Sequence, residues 1–318
     1  MTMKRLLVWL AFASCGGPAV AQESEPLVSF AESTVADPLA GNHRFDRFIG
    51  FMSNPVQNID PRAMTAIWPI YGYSSVSTTP ALPSADIQVY GAGLTVALSD
   101  KFAFGFNQGG YGVMNIERGS GPFRDRFGRL RDRREFNGDR EGWLNLGGFF
   151  QYTVVENCDD QFLLTTGLRW AAPSGSNAVF QGNGPTMLAP YATLGKAWDN
   201  VHLLATAGYS FPVGSGGSTT NLFYANFHLD RQFGWFYPLV EVNCSYHQNT
   251  ADIDLPTRFG FLDFGSFTSS GNLVTLAVGA NAVLIPNKLE LGAVYSCPLA
   301  TQRNIDFDGL LVKMVYRY

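Results

Sequence analysis

Charged residues are scarce in this chain of 318 residues. Asp, Glu, Lys and Arg together make up 15% of it, whereas about 25% is typical of soluble domains. The formal net charge is −4, and a nucleic-acid-binding protein normally carries a basic patch instead. The composition therefore indicates a surface that water does not fully cover, and it predicts no nucleic-acid partner.

Long apolar runs and cysteine motifs are also missing. Beyond the N-terminus no apolar stretch approaches the roughly 20 residues that a membrane helix needs, which excludes a helical membrane protein. Three of the four cysteines lie beyond the N-terminal region, and an odd number does not make a disulfide framework. There is no CxxC motif and no Cys/His cluster with zinc spacing. The sequence thus predicts no metal site and no cofactor.

Residues 1–21 have the features of a secretory signal peptide. Lys4 and Arg5 form a basic start, residues 6–13 form a short apolar run, and Ala19-Val20-Ala21 supplies a cleavage pattern of small residues. We therefore predict that the mature chain begins at Gln22. The alternative is a lipid-modified N-terminus at Cys15, although the leucine usual three positions before such a cysteine is absent.

Aromatic residues and glycine are abundant, at 14% of the chain and 34 residues. From Arg62 onward, short segments alternate apolar and polar residues, which is the period of β-strands. The C-terminal LLVKMVYRY, residues 310–318, is the clearest example. We count about 12 strands of about 10 residues, the length that a tilted membrane strand needs, with the first over Arg62 to Tyr73.

The connections between these segments alternate between short and long. The short ones lie around Asp100 and at 157–160, 199–200, 231–234 and 286–287, and the long ones at 74–84, 113–142, 172–185, 213–220, 247–272 and 298–308. Outer-membrane barrels have this arrangement, with tight periplasmic turns and longer external loops.

We therefore predict an all-β fold in which residues 62–318 form a single transmembrane antiparallel up-and-down β-barrel. Residues 22–61 are predicted to be a periplasmic N-terminal segment or a partial plug. The soluble alternative is a secreted β-sandwich or lectin-like domain. That alternative must explain why the apolar faces lie beside faces rich in glycine and polar residues and not beside a second core.

If the apolar faces contact lipid, the other faces line the lumen. The predicted lumen-lining residues are Arg169, His202, Tyr224, Asn226, His228, Asp230, Glu241, Asn243, Glu290, Lys313 and Arg317. A polar lining of mixed charge suits a hydrated pathway, and it equally suits a filled core in which opposite charges pair.

The loop over 113–142 is the most charged part of the chain. Its predicted external arginines include Arg124, Arg126, Arg129, Arg131, Arg133 and Arg134. Arginine pairs well with carboxylates and phosphates, so this loop is either a constriction that favours anionic solutes, a contact to lipid phosphates or a solvated external loop.

An even number of strands places both ends of the barrel on the periplasmic side. Tyr316 and Tyr318 then lie at the inner aromatic girdle. The terminal aromatic residue also resembles the signal that the barrel-assembly machinery reads, so we predict that machinery as a partner.

Several segments resemble a known family. They are Asn54-Pro55, Asp60-Pro61-Arg62, GWLNLGGFFQYTV (142–154), SFPVGSG (210–216) and FGWFYPLVEVN (233–243). These stretches are similar to a family of bacterial outer-membrane barrels labelled as transporters of the meta-pathway of phenol degradation, over roughly residues 48–318. The resemblance implies a barrel of transporter or porin type, and it assigns no catalytic or ligand residue.

Together these features predict an outer-membrane channel or transporter for passive movement of small solutes, with outer-membrane lipids around it. The alternative is a structural or surface-interaction barrel with a closed lumen. An outer-membrane hydrolase is a weaker hypothesis, because such enzymes use a Ser/His pair on the lipid-facing exterior, whereas His202 and His228 lie on the predicted lumen face. We predict no enzymatic activity.

Overall fold

The structure is a computed structural model that describes residues 39, 41–76, 84–118, 122–124, 130–132, 138–179, 181–182, 185–214, 221–248, 271–302 and 307–318. These residues form a closed antiparallel β-barrel of 12 strands. The predicted all-β barrel is confirmed.

The barrel is built from strand segments that follow each other in chain order. They are β1 (Ala66–Val76), β2 (Ala85–Ala97), β3 (Phe102–Gln108), β4 (Gly110–Ile116), β5 (Pro122–Arg124), β6 (Leu130–Asp132), β7 (Gly138–Trp143), β8 (Gly147–Asn157), β9 (Phe162–Ala171), β10 (Thr186–Trp198), β11 (Val201–Val213), β12 (Leu222–Arg231), β13 (Phe236–His247), β14 (Gly271–Ile285), β15 (Leu289–Gln302) and β16 (Phe307–Arg317). A short 3-10 turn covers Asn177–Val179.

Two of the 12 barrel strands are each made of two segments. Segments β3 and β4 both pair with β2 and are divided at Gly109. A side chain at Gly110 would put its Cβ 2.3 Å from the carbonyl oxygen of Tyr90, so only glycine allows this close approach. Segments β7 and β8 form the next barrel strand, while β5 and β6 pair as a separate two-stranded sheet.

The sheet closes because β1 pairs with both β2 and β16. Tyr71 lies opposite Tyr90 on one side and opposite Val312 on the other. Closure satisfies the backbone groups of the first and last strands, which is necessary where no water is present. Strand β1 begins at Ala66, later than the predicted Arg62, because Arg62 is buried in an ion pair with Asp60 before the strand starts.

All the short connections lie at one end of the barrel, together with the start of β1 and the end of β16. Gln161, Asp199, Asn287 and Gly234 have positive φ angles between 45° and 64° in these connections. Asn, Asp and Gly tolerate this left-handed conformation best. We call this the short-turn end and the opposite one the long-loop end.

The outer face of the barrel is apolar and aromatic. Phe150, Phe227, Val278 and Tyr295 are each about half exposed there. The short-turn end carries a rim of exposed Trp198, Phe233, Trp235, Tyr316 and Tyr318. Aromatic side chains at the ends of an apolar band are typical of membrane-spanning barrels. No helix in the described ranges has the length and apolar character to cross a membrane.

The inner face changes character along the barrel axis. On β1, β2, β4 and β16 it carries an apolar cluster toward the long-loop end, to which the buried side chains of Val76, Ile87, Met114, Ile116 and Phe307 belong. Toward the middle and the short-turn end the inner side chains are largely polar or charged. The alternation of apolar and polar residues along each strand does not reveal this division. None of Cys158, Cys244 and Cys297 forms a disulfide.

Candidate functional site: the plugged lumen

Most of residues 41–64 are buried inside the barrel, and we call this segment the plug. Its side chains of Phe45, Phe48, Ile49, Met52 and Arg62 are at most 1% exposed. The plug forms hydrogen bonds with side chains of β3, β8, β9, β12, β13 and β16. A segment that contacts strands from all around the barrel and is itself buried occupies the lumen.

The plug enters and leaves at the short-turn end. Near its start, Arg44 forms an ion pair with Glu156 at 2.7 Å. A tight turn at Asn54, with φ 47°, forms the tip, where the amides of Gln57 and Asn58 donate to the Asn54 carbonyl oxygen at 3.1 and 3.0 Å. After the tip the chain returns to the start of β1.

Glu241 on β13 holds the residues just before this tip. Its two carboxylate oxygens accept hydrogen bonds from the backbone amides of Met52 at 2.7 Å and Ser53 at 2.6 Å. The Ser53 hydroxyl donates to the same carboxylate. Glu241 is fully buried, and hydrogen bonds to an ionised acceptor are about twice as strong as neutral ones. Glu241 is therefore the principal anchor of the plug tip.

The anchor continues into a buried chain of His and Asp side chains. His228 Nδ1 lies 2.6 Å from Glu241 Oε1, and His228 Nε2 lies 3.0 Å from Asp230 Oδ2. The other Asp230 oxygen is 2.7 Å from His202 Nδ1. Because ionised carboxylates only accept hydrogen bonds, both contacts of His228 are satisfied when both ring nitrogens carry a proton.

Two plug aromatics cover this chain. The ring centroids of Phe48 and His202 are 5.5 Å apart, and those of Phe51 and His228 are 5.6 Å apart. The two phenyl rings thus cover the side of each imidazole that faces the plug. The charged chain is thus shielded by the segment that it holds in place.

Other lumen side chains bind carbonyl oxygens of the plug backbone. Arg169 Nη1 and Asn107 Nδ2 each donate to the Val56 carbonyl at 2.7 Å. Gln151 donates to the Arg62 carbonyl at 2.9 Å, and Thr165 to the Pro61 carbonyl at 2.6 Å. The plug has little regular secondary structure, so these side chains supply partners that its buried backbone would otherwise lack.

Within the plug, Asp60 and Arg62 form a bidentate ion pair with distances of 2.9 and 2.6 Å. The Arg62 Nη1 also donates to the Phe48 carbonyl at 2.6 Å. Burial by itself would raise the pKa of Asp60, but the charge and hydrogen bonds of Arg62 outweigh it, so the pKa lies below its usual value. This pair fixes the return of the plug toward β1.

The structure places the eleven predicted lumen-lining residues on the inner side of the barrel. Ten are buried, and Lys313 is partly buried. Several contact the plug directly: Arg169, Asn226, Glu241, Asn243 and Lys313. Glu290 and Arg317 pair with each other at 2.5 Å, and the Tyr224 hydroxyl is buried without a hydrogen-bond partner among the described residues. Their role in solute passage stays a prediction.

The other predicted residues belong to the loop over 113–142 and to the C-terminus. Arg126, Arg129, Arg133 and Arg134 lie outside the described residues, while Arg124 ends β5 and Arg131 lies in β6. Tyr316 and Tyr318 lie at the exposed rim of the short-turn end. Within the described ranges, no three His, Cys, Asp or Glu side chains are grouped to hold a metal ion.

The plug contacts were not predicted residue by residue. The segment shows no strand or helix period, and its partners are distant in the chain. The sequence does contain one indication that this segment is buried. Five apolar residues lie close together in it, which is unusual for a segment exposed to water: Phe45, Phe48, Ile49, Phe51 and Met52.

Comparison with known proteins supports the architecture. No family model and no curated protein matches the chain, so the resemblance to the phenol-degradation transporter family stays a prediction. Among solved structures, the COG4313 outer membrane channel from Pseudomonas putida F1 is 12% identical, and the match covers 84% of this chain and 100% of that one with a TM-score of 0.59. The chain has the fold of an outer-membrane β-barrel.

Two further solved barrels are similar at lower TM-scores. The NanC porin is 10% identical over 79% of this chain and 100% of its own, with a TM-score of 0.46. The transport unit of the autotransporter AIDA-I from Escherichia coli is 11% identical over 88% and 99%, with a TM-score of 0.45. At these identities the likeness concerns the fold of this outer-membrane-type barrel alone.

Proposed function

We propose that the protein is a channel of the bacterial outer membrane for passive movement of small solutes, and that its plug closes the pore. The observation that carries this proposal is the lumen filled by a separate segment inside a complete barrel wall. The wall would remain closed on itself if the plug withdrew, since β1 pairs with β2 and β16 without using plug residues.

The nature of the contacts supports a movable plug. Hydrogen bonds and ion pairs hold it, including those of Glu241 and Arg169. Because both ends of the plug lie at the short-turn end, the segment can withdraw there without threading through the barrel. Water that enters can solvate the exposed polar groups, which lowers the cost of breaking these contacts.

The proposal includes the cellular context. The signal peptide over 1–21 directs export, the outer apolar face contacts outer-membrane lipids, and the barrel-assembly machinery inserts the chain. The substrates are small solutes, and no enzymatic activity is assigned. The fold likeness to an outer membrane channel from Pseudomonas putida F1 supports this interpretation.

The second candidate is a barrel with a permanently closed lumen whose external loops bind a surface partner. The extensive burial of the plug favours it, because Phe45, Phe48 and Ile49 would lose apolar contacts on withdrawal. The two candidates differ in whether the plug ever leaves its position.

A reversible crosslink between plug and wall separates the two candidates. The Asn243 Nδ2 lies 2.8 Å from the Ser53 Oγ, so Ser53→Cys with Asn243→Cys brings two thiols together once Cys158, Cys244 and Cys297 are replaced by serine. In planar bilayers we expect channel openings from the reduced double variant, their loss on oxidation and their return with reductant.

Each single-cysteine variant serves as a control for oxidation without a crosslink. If correctly folded wild-type protein shows no openings, the channel proposal is wrong. If openings persist in protein whose crosslink is shown by mass spectrometry, the plug is not the gate.

A further inference from the structure

The plug is not held equally on all sides of the lumen. Its hydrogen bonds concentrate on β8, β9, β12 and β13, through Gln151, Thr165, Asn226 and Glu241. On the side of β15, β16 and β1, two cavities lie between the plug and the barrel wall.

The first cavity lies beside the plug tip, toward the long-loop end. It has a volume of about 40 Å³. Its polar lining consists of neutral hydroxyl and amide groups, and apolar side chains of β14 and β16 complete it. The polar residues are Ser53, Asn54, Ser74, Asn243, Ser245, Thr275 and Ser296.

The second cavity lies on the short-turn side of the first and also measures about 40 Å³. Its lining includes the charged residues Asp60, Arg62, Glu290, Lys313 and Arg317. Asp60 is neutralised by its bidentate pair with Arg62, and Glu290 is paired with Arg317. The ammonium of Lys313 is the remaining charge of this set.

The two cavities follow one another along β16. Residues 309–311 line the first, and Lys313, Val315 and Arg317 line the second. Alternate residues of a strand lie on the same face about 7 Å apart, so Leu311 and Lys313 are neighbours on the inner wall. Between the cavities, Lys313 Nζ donates to the Phe51 carbonyl oxygen of the plug.

Met52 lies beside Lys313 and helps to separate the two cavities. A Cβ placed on Gly292 of β15 would lie 2.6 Å from the Met52 terminal methyl, so glycine at this position lets the Met52 side chain pack directly on the strand. Methionine is flexible and adapts to changes in its surroundings. The two cavities are thus separated by the hydrogen bond between Lys313 and Phe51 and by the flexible Met52 side chain.

The second cavity is also lined by a guanidinium whose hydrogen bonds are only partly satisfied. Arg317 is 5% exposed, and its Nε has no hydrogen-bond partner among the described residues. A buried guanidinium nitrogen without a partner is a costly feature that an anionic ligand would relieve. Arg317 and Lys313 are therefore suited to a small carboxylate.

From these observations we infer that opening moves the plug tip away from β16 while the rest of the plug stays in the lumen. The solute path then runs along β16 between plug and wall, with Lys313 as its selectivity-determining residue for small anions. This inference rests on the proposed channel function and adds the route and the solute charge. A water needs about 10–15 Å³ of such volume, so each cavity holds only a few waters and the path is closed at Lys313 in this structure.

The first test compares one lysine on the proposed path with one outside the lumen. Lys313→Met removes the charge on the path, and the control Lys196→Met removes a charge on the outer face of β10, where the Lys196 ammonium lies 5.8 Å from the centroid of the Trp198 ring. In a potassium chloride gradient, we expect Lys313→Met to lower the anion-to-cation permeability ratio by roughly two-fold or more. The same ratio should stay at the wild-type value in Lys196→Met.

The second test maps the path with single cysteines introduced into the variant that lacks Cys158, Cys244 and Cys297. A negatively charged methanethiosulfonate reagent, which carries a sulfonate group, modifies each cysteine that it can reach. Ser296→Cys probes the first cavity and Val315→Cys the second. The control Thr206→Cys lies buried on β11, where Thr206 bonds Thr193 at 2.9 Å. During channel activity we expect the reagent to modify Ser296→Cys and Val315→Cys and to lower their conductance. We expect no modification of Thr206→Cys.

The outcomes separate the path from the channel function itself. Conducting protein in which Thr206→Cys is modified while Ser296→Cys and Val315→Cys are not overturns the β16 route. An unchanged permeability ratio in Lys313→Met overturns its selectivity role. Absence of conductance in wild-type protein overturns the channel proposal and this inference with it.

Discussion

Glu241 connects the barrel wall to the tip of the plug. It accepts hydrogen bonds from two plug amides and the Ser53 hydroxyl, and it also contacts His228. A fully buried carboxylate is stable only with such partners. Conversely, removing one partner of a buried charge pair typically costs about 3–5 kcal/mol because the other charge is left unpaired.

We therefore predict that Glu241→Gln weakens the closed state by about 3 kcal/mol. Glutamine keeps the side-chain length, but its NH₂ group cannot accept hydrogen bonds and its carbonyl carries no charge for His228. The expected result is a large rise in open probability in single-channel records. Asp159→Asn, which neutralises an exposed carboxylate in a short turn, is the control.

Equal open probabilities in Glu241→Gln and Asp159→Asn would show that Glu241 does not anchor the plug. Folding of both variants is checked first by their electrophoretic mobility before and after heating.

At the scale of an element, β16 joins three features of the barrel. It closes the sheet against β1, its inner residues line both cavities, and its outer face ends in Tyr316 and Tyr318. The backbone amide of Tyr318 donates to the Thr65 carbonyl at 3.0 Å, at the end of the closing pair.

Deletion of Tyr318 is expected to reduce insertion into the outer membrane more than it changes the conductance of the molecules that do insert. The reason is that the terminal aromatic contributes to the recognition signal and lies outside the lumen. The measurement is the fraction of folded protein in outer-membrane preparations. Tyr318→Phe, which keeps the aromatic ring, should insert normally.

If the chain without Tyr318 inserts normally, Tyr318 is not part of the recognition signal and is only a member of the aromatic rim. Its contact with Thr65 would then be a structural detail of barrel closure.

The whole molecule is a closed cylinder with an apolar exterior. Closed barrels of this kind resist detergent because each strand is hydrogen-bonded on both sides. We predict that unheated protein in sodium dodecyl sulfate migrates as a compact species and that heating converts it to a slower, unfolded form. Identical mobility with and without heating, in protein refolded into lipid, would contradict the barrel.

Much of this architecture was predictable from local sequence patterns. The alternation in segments such as residues 310–318 gives strands whose two faces differ, and turn residues such as Asp199 and Asn287 mark the short connections. Both signals act over a few residues. These two signals gave the number of strands. They also gave the inner position of residues such as Glu241 and Arg317, because side chains alternate between the two faces of a strand.

The position of the plug was decided only by the tertiary structure. Met52 and Glu241 are separated by 189 positions in the chain, and no local pattern indicates that they meet. The apolar cluster near the long-loop end and the cavities along β16 likewise arise from strands brought together by closure. The sequence by itself determined which residues face inward, whereas what fills the lumen depends on long-range packing and charge pairing, which no local period encodes.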